Sequence, residues 1–450
     1  MYNSIIEKIK DKNICILGFG KEGKSTYDFI RRHLSDKFIT IIDKVNVSDK
    51  IKDKNVEIIY GEDYLLNLDK YDLIIKSPGI SLNDMDITNI KDKITSQLEL
   101  LLEVYKDKVI GITGTKGKST TSTLMYKILL DQGYDTYLLG NIGIPMFNDI
   151  ENYNEDTYLV VDMSAHQLEY VKVSPKYAIV LNLFEDHLDH SKTVDHYHEN
   201  KMNIFKYQDE SDIGIYSFDN ENTVKQVKKN KYKTNLYKVT TGNVEEKNTI
   251  YINSNSIIFE DKILYDSRLE RNLVGTHNLS NIMFCLLLTE LLKLDNDMAI
   301  KSIKEFSPLE HRMELVGTYN DITYYNDSIA TIPYATINAI ESLKDVDTLI
   351  FGGMDRGIDY KPLLDYLITS NVRNLICMPT TGYKIGKEIE EKDTDKNIYY
   401  IELLEDAVKK AKEVTEKGKI CLMSPAASSY EYFKNFEEKG KKFKELVKQK

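Results

Sequence analysis

The residues best equipped for chemistry stand in one short run, Gly111-Ile-Thr-Gly114-Thr115-Lys116-Gly117-Lys118-Ser119-Thr120. It follows the apolar stretch Val109–Thr113 and opens a helical pattern, the context that a phosphate loop requires. In such a loop, backbone N–H groups and the helix N-terminus wrap phosphates. Lys118 would supply a mobile positive charge and Ser119 a hydroxyl for Mg²⁺. The strict pattern asks for glycine at position 112, where this chain has Ile112; glycines stand at 111 and 114 instead. Gly-Lys-Ser alone is common by chance, so an ordinary glycine turn is the competing reading. The strand before and the helix after favour a nucleoside triphosphate site.

A second glycine motif, Gly18-Phe-Gly20-Lys21-Glu22-Gly23, follows the apolar run Asn13–Leu17. Asp43 ends the next apolar run, twenty residues beyond Gly23, where an acidic residue meets a ribose or base edge in dinucleotide sites. The glycines report only close backbone approach to a diphosphate. NAD and a UDP-sugar satisfy them equally, and a purely structural turn is the third reading.

A third constellation comprises Asp162-Met-Ser164-Ala-His166-Gln167, Glu185-Asp186-His187-Leu-Asp189-His190 and Tyr197-His198-Glu-Asn-Lys201. Five of the eight histidines fall between positions 166 and 198, a density that invites a zinc reading. No cysteine lies nearby, however, and no H-x-x-x-H pair carries a glutamate base. Asp162 and His187 each follow an apolar run, the sheet edge at which open α/β folds bind ligands. Mixed oxygen and nitrogen donors beside a phosphate loop suit Mg²⁺ held with substrate phosphates. His190, His196 and His198 read as solvated helix residues, and by spacing alone Lys201 reads as a surface helix lysine.

These motifs must be positioned by a chain of 450 residues, enough for two to four domains at roughly 100–200 residues each. With 60 basic against 71 acidic side chains the net charge is −11, which argues against a nucleic-acid partner. Cys15, Cys285, Cys377 and Cys421 are scattered in apolar runs, as expected of buried thiols in a reducing compartment. The first residues, Met1 to Lys12, show no signal-peptide pattern, and no apolar run is long enough to span a membrane. A cytoplasmic protein without membrane partners is expected. Strand and helix patterns alternate in three regions, with limits near 105 and 306, which predicts three α/β domains with mostly parallel sheets. Within the middle region, Ile213 to Arg271 reads as an antiparallel insertion or flank.

Taken together and in order, six segments resemble the signature of the Mur ligases, the ATP-dependent amide ligases of peptidoglycan precursor synthesis. They are Thr113–Thr120, Gly140-Asn141-Ile-Gly143, Glu185-Asp186-His187, Gly275-Thr-His-Asn278-Leu-Ser-Asn281, His311-Arg312 and Asn326-Asp327-Ser328. Further segments are similar to the glutamate-adding branch: Ser77-Pro-Gly79-Ile, Asn141-Ile-Gly-Ile-Pro145, Ser164-x-x-Gln167-Leu-Glu169 and Ser424-Pro-Ala-Ala-Ser-Ser429-Tyr-Glu-Tyr-Phe433-Lys-Asn-Phe436-Glu. The likeness runs through nearly the whole chain.

The resemblance implies a Rossmann-like domain for a UDP precursor (1–105), a central P-loop domain for ATP (106–306) and a C-terminal Rossmann-like domain for the amino acid (307–450). It implies that glutamate, as the D isomer, is joined to UDP-N-acetylmuramoyl-L-alanine through an acyl phosphate, by a monomer. By matching position, Gly20, Lys21, Asp43 and Gly79 would hold the UDP end, with Asn141 and His187 at the muramoyl end. Gly114, Thr115, Lys116, Gly117, Lys118, Ser119 and Thr120 would hold ATP phosphates. Asn278 and Asn281 would lie near adenine, Arg312 would contact phosphate and Asp327 ribose. Thr331, Arg356, Ser429 and Phe436 would bind glutamate. Ser119, Asp162, His187 and Lys201 are the metal positions, for two Mg²⁺ ions. There Lys201 would be carbamylated, because an ammonium beside a divalent cation is strongly repelled. Lys118, His187, Lys201 and Arg312 are the expected catalytic set.

Four positions depart from the family pattern. Asp162 stands where glutamate is usual and His166 replaces an aromatic residue. Asp327-Ser-Ile329-Ala-Thr331-Ile-Pro333 lacks a lysine at 329, and Gly352-Gly-Met-Asp355-Arg356-Gly357 has arginine in place of a carboxylate-binding lysine. Arginine offers a bidentate fork that lysine does not. Two changes around one pocket leave L-glutamate as the alternative substrate. A folylpolyglutamate-synthase-like ligase would lack the Gly18–Gly23 domain and Asp43. An NAD oxidoreductase would leave Lys118, Ser119 and Arg312 without a role, and a non-catalytic binding protein would follow if Asp162 and Ile329 disabled the chemistry.

Overall fold

Short β-branched and aliphatic runs between polar turns become parallel strands, because a run apolar on both faces must be covered on both. In a computed structural model, all residues are described except 84, 185–192, 308–309, 393–394, 430–431 and 450. The first sheet comprises β1 (Ile14–Leu17), β2 (Ile39–Asp43), β3 (Val56–Tyr60), β4 (Leu73–Lys76) and β5 (Ile94–Thr95). Its order is β3-β2-β1-β4-β5, all parallel. The direction of winding reverses beside β1, so the Gly18–Gly23 loop leaves the sheet at a topological switch point.

The second sheet holds β6 (Val109–Thr113), β7 (Thr136–Gly140), β8 (Tyr158–Asp162), β9 (Tyr177–Val180), β10 (Ile213–Ser217), β11 (Asn235–Val239), β12 (Thr249–Asn253), β13 (Ser256–Phe259) and β14 (Lys262–Asp266). The order is β14-β13-β12-β11-β10-β9-β6-β8-β7. The antiparallel reading of the flank applies only to its end. β10, β11 and β12 extend the sheet in parallel, and antiparallel pairing begins at β12–β13. Helix Glu221–Lys229 supplies the crossover that a parallel neighbour needs between β10 and β11. β6 lies between β8 and β9, which brings the ends of all three strands to one edge.

The third sheet contains β15 (Glu314–Tyr319), β16 (Ile322–Asn326), β17 (Val346–Phe351), β18 (Asn374–Cys377), β19 (Asn397–Tyr400) and β20 (Ile420–Met423). Its order is β15-β16-β20-β17-β18-β19, parallel except for the β15–β16 hairpin. The chain divides into two compact units. One is Met1–Arg271 with His277–Phe306, and the other is Asn272–Thr276 with Ser307–Lys450. All four cysteines are buried free thiols. Among the described residues no helix is long and apolar enough to cross a membrane.

Candidate functional site

In the first unit, the phosphate-loop run connects β6 to helix Lys118–Asp131. Gly117 caps the helix with a left-handed backbone, φ +84. A Cβ on it would lie 2.6 Å from Asn281 Oδ1, so glycine is what lets Asn281 approach the loop. Asn281 donates to Asn278 Oδ1 at 3.3 Å, and both stand on helix Thr276–Leu291. Lys118 folds back over the loop, with Nζ 3.0 Å from the Gly114 carbonyl oxygen and 3.4 Å from that of Thr115. The loop is braced by a residue that stands in none of these motifs. Asn182 receives the Lys116 N–H at 2.8 Å, donates to the Lys116 carbonyl at 3.0 Å, and accepts the Thr115 N–H on its own carbonyl at 2.9 Å. Its signal was its place, two residues beyond the end of β9, at the ligand-binding edge of the sheet.

Ser119 Oγ donates to Asp162 Oδ2 at 2.9 Å, and Asp162 is wholly buried at the end of β8. A hydroxyl and a carboxylate at the mouth of a phosphate loop form a hard-oxygen donor pair, which fits Mg²⁺. Asn141 N–H donates to the Asp162 carbonyl at 3.0 Å. Lys201 is no surface lysine: it is 1% exposed, and Nζ donates to the Gly114 carbonyl at 2.9 Å. The reason is register. Tyr197, Lys201 and Phe205 follow at i, i+4 on helix Val194–Lys206, and all three are buried. Nζ also lies 4.7 Å from the centroid of the Tyr197 ring. His198 is buried as well, its ring nitrogen 3.3 Å from the Phe184 carbonyl oxygen, and burial holds its pKa below the ordinary histidine value. His196 is half-buried. His187, expected at the metal and the muramoyl end, lies outside the described residues with Glu185, Asp186 and His190.

At the edge of the first sheet, Gly20 caps helix Lys21–His33, and Gly20, Lys21 and Gly79 are exposed. Asp43 shapes this loop. Its Oδ2 accepts the Phe19 N–H at 2.7 Å and its Oδ1 the Val45 N–H at 3.0 Å. Glu22 turns to the second sheet, where its carboxylate accepts the Gln167 amide at 2.6 Å. Gln167 in turn accepts the Ser164 N–H at 2.8 Å, within a capping box just past Asp162. Burial pushes the Glu22 carboxyl up to about 7, against the opposing effects of Gln167 and Lys76. Lys76 is itself buried, 4.0 Å from Glu169. A chain of polar contacts therefore joins the glycine fingerprint to the Asp162 segment.

In the second unit, Arg312 sits at a corner between two left-handed residues, His311 (φ +68) and Met313 (φ +46). Asn326 donates to His311 Nδ1 and to Glu314, each at 3.0 Å. Asp327, 4% exposed, accepts the Met313 N–H at 3.1 Å and the Ser424 hydroxyl at 2.8 Å. Burial lowers the pKa of His311. Glu310, His311 and Glu314 bring possible ligand atoms within 4.8 Å of one another. Lys444 already holds both glutamates, at 2.6 and 2.8 Å, so an internal cation serves that cluster.

Arg356 is exposed on the loop after β17, and Thr331 is half-buried. Ser429 is 5% exposed, and its hydroxyl has no hydrogen-bond partner among the described residues. The two segments are tied together because Met354 N–H donates to the Ser428 carbonyl at 2.9 Å. The Phe436 ring meets His311 edge-on at 6.1 Å.

Comparisons with known proteins match the chain to three family domains. The chain matches the family described as Mur ligase MurD-like, N-terminal domain over residues 12–96. It matches Mur ligase middle domain over 112–289 and Mur ligase, glutamate ligase domain over 311–427. It is 34% identical over 461 residues to UDP-N-acetylmuramoylalanine--D-glutamate ligase of Clostridium kluyveri, covering 98% of this chain and 97% of that protein. The protein of the same name from Clostridium novyi is 32% identical, with 99% and 98% covered. Among solved structures, MurF ligase from Thermotoga maritima in complex with ADP superposes with a TM-score of 0.59 at 17% identity, covering 96% of this chain and 93% of that one. UDP-N-acetylmuramate-alanine ligase MurC from the same organism gives 0.57 at 16%, covering 96% and 98%. At such identities the structures speak for the fold alone, whereas the full-length relatives carry the family. The chain belongs to the Mur ligase family, with a MurD-like N-terminal domain.

Proposed function

We propose that this protein is an ATP-dependent ligase of peptidoglycan precursor synthesis that joins glutamate to UDP-N-acetylmuramoyl-L-alanine. The observation that carries this reading is its end-to-end likeness to D-glutamate ligases, in a chain whose phosphate loop is assembled around Lys118, Ser119 and Asp162. We divide the labour as residues 1–105 for UDP, 106–306 for ATP and 307–450 for the amino acid. The protein would work in the cytoplasm, as a monomer.

A muramoyl-alanine carboxylate is a poor electrophile, so ATP first converts it to an acyl phosphate with release of ADP. Lys118 and Arg312 balance charge on the transferring phosphoryl group. The glutamate amine then attacks the acyl carbon, and the tetrahedral intermediate expels phosphate. Arg356 takes a glutamate carboxylate with its guanidinium fork, and Ser429, Thr331 and Phe436 complete the pocket. Gly20, Lys21, Asp43 and Gly79 hold the UDP end, and Asn141 with His187 the muramoyl end. Asn278 and Asn281 flank the adenine, and Asp327 reaches the ribose.

Ser119, Asp162, His187 and a carbamylated Lys201 would hold Mg²⁺, with two ions in the full site. Bound there, Mg²⁺ supplies positive charge to the phosphate oxygens. Lys201 begins as a buried amine; addition of CO₂ with loss of a proton turns it into an anionic oxygen ligand. Lys201→Ala is expected to lower phosphate release by about 10- to 100-fold or more, the scale on which loss of a metal site's supporting residues begins. A fully active variant overturns the carbamate role.

The experiment for the reaction is phosphate release from ATP with UDP-N-acetylmuramoyl-L-alanine and each enantiomer of glutamate. Preference for D is expected from the relatives. Preference for L would move the chain to the alternative that Ile329 and Arg356 raise, and turnover with neither would overturn the glutamate assignment.

A further inference from the structure

A single helical turn underlies the amino-acid pocket. Helix Phe436–Lys448 begins with Phe436, and residues three and four further on share its face. Phe436 meets the His311 ring. Gly440 touches the same histidine and Ser328, since a Cβ there would lie 2.2 Å from His311 Nδ1 and 2.4 Å from Ser328 Oγ. Between them Lys439, 3% exposed, points its ammonium at the Gly352 carbonyl, 3.0 Å away. The turn thus joins the Arg312 corner, the Asp327–Ile329 segment and the base of the Arg356 loop.

Lys439 is an expensive residue for this place. No carboxylate among the described residues offsets its charge, and burial alone holds its pKa down to about 8. It also stands in the first turn of its helix, where the macrodipole disfavours a cation. Burying an unpaired charge costs stability that an apolar side chain of similar volume would not. Packing therefore does not account for a lysine here, and its contact does.

That contact holds the base of a loop whose other bonds come from neighbouring backbone, the Thr381 hydroxyl and, further along, Asp355, which accepts the Gly357 N–H at 2.9 Å and pairs with Lys384 at 3.7 Å. Gly352 N–H donates to the Pro425 carbonyl at 2.9 Å and Gly353 N–H to Thr381 Oγ1 at 3.2 Å. Met354 N–H donates to the Ser428 carbonyl, one residue before the buried Ser429 hydroxyl, which has no partner among the described residues. Lys439 completes the set by holding the Gly352 carbonyl. We propose that Lys439 is a positioning residue for the amino-acid substrate. By fixing the base of the Gly352–Gly357 loop, it sets Arg356 and Ser429 relative to each other for one carboxylate. This rests on the reading of that pocket as the glutamate site.

The test uses the full-length protein with Lys439→Met and Lys439→Arg, and has two readouts. In steady-state phosphate release, Lys439→Met is expected to raise KM for glutamate about tenfold or more, with KM for ATP and for the UDP precursor within about twofold. Lys439→Arg, which keeps charge and donor, restores the glutamate KM. Amide hydrogen exchange of residues 352–357 is expected to quicken in Lys439→Met and to return in Lys439→Arg. Should the methionine variant not fold, Lys439→Gln keeps a donor in the same cavity without the charge, and is read in the same way against Lys439→Arg. Unchanged exchange at 352–357, or a rise of all three KM values together, overturns the proposal. A wild type that turns over with neither glutamate enantiomer overturns the glutamate reading instead, and the exchange result still decides whether Lys439 fixes the loop.

Discussion

The molecule carries two glycine loops at the ends of parallel strands, and they are built on opposite plans. Gly114–Gly117 runs straight from β6 into a helix, so the loop and the helix N-terminus are adjacent, with the Thr115 and Lys116 N–H groups held by Asn182. Its lysine, Lys118, is local and rests on carbonyls of the loop itself. Gly352–Gly357 leaves β17 and reaches its next helix only at Lys361. Its charge, Arg356, is exposed, and its anchor, Lys439, comes from 87 residues further along the chain. A polyphosphate can be bound by backbone and a helix end, which short sequence spacing suffices to arrange. The glutamate proposed for the second loop would offer two carboxylates and an amine, so its pocket would have to be assembled from side chains of several segments.

The comparison is broken most severely at the phosphate loop. Lys118→Met is expected to lower kcat for phosphate release on the order of 10³-fold, with little change in melting temperature because Lys118 is half-buried. Near-normal turnover would show that the loop's own lysine is dispensable. At the second loop, Arg356→Ala should raise KM for glutamate about 10- to 100-fold, the value of a charge-assisted fork, and leave KM for ATP unchanged. Equal effects on both substrates would erase the distinction between the loops.

A smaller effect is structural. Gly440→Ala drives a Cβ into His311 and Ser328, an overpacking cost of about 1–3 kcal/mol. Its melting transition should fall by a few degrees, and a variant as stable as wild type would mean that the floor of the second pocket yields easily.

The smallest effect concerns pH and the first unit. The Glu22 carboxyl is raised to about 7 by burial, so folding favours its protonated form. Stability from this group is complete below the ordinary carboxylate pKa and is lost as pH rises through the raised value. Glu22→Gln is neutral throughout. Its melting temperature relative to wild type should therefore climb across that window, and a flat difference would remove Glu22 from the linkage.

Much of the candidate site was legible because its motifs are local. Gly117-Lys118-Ser119 after an apolar strand needs only a strand, a turn and a helix to become a phosphate loop, and the structure supplies each. The apolar run ending at Asp162 likewise places that carboxylate at the edge of the sheet beside Ser119. Asn182 and Lys439 were not legible, since each acts on a segment distant in sequence and neither stands in a chemical motif. His198 and Lys201 were misread as solvated for a related reason. Helical spacing gives a face, but not which neighbour covers it.

By itself, then, the sequence determined the alternation of strand and helix, the three regions, the strand–turn–helix that carries Lys118 and the family likeness. These depend on apolar periodicity and on contacts within a few residues, which every copy of the pattern must make. Only the tertiary structure decided that β10 to β12 run parallel, that Asp43, expected at the UDP end, accepts the Phe19 and Val45 N–H groups, and that Lys76, Lys201 and Lys439 would be buried. Strand partners and burial are set by segments tens to hundreds of residues apart. Their free energies arise only when the sheets close, so no local spacing encodes them.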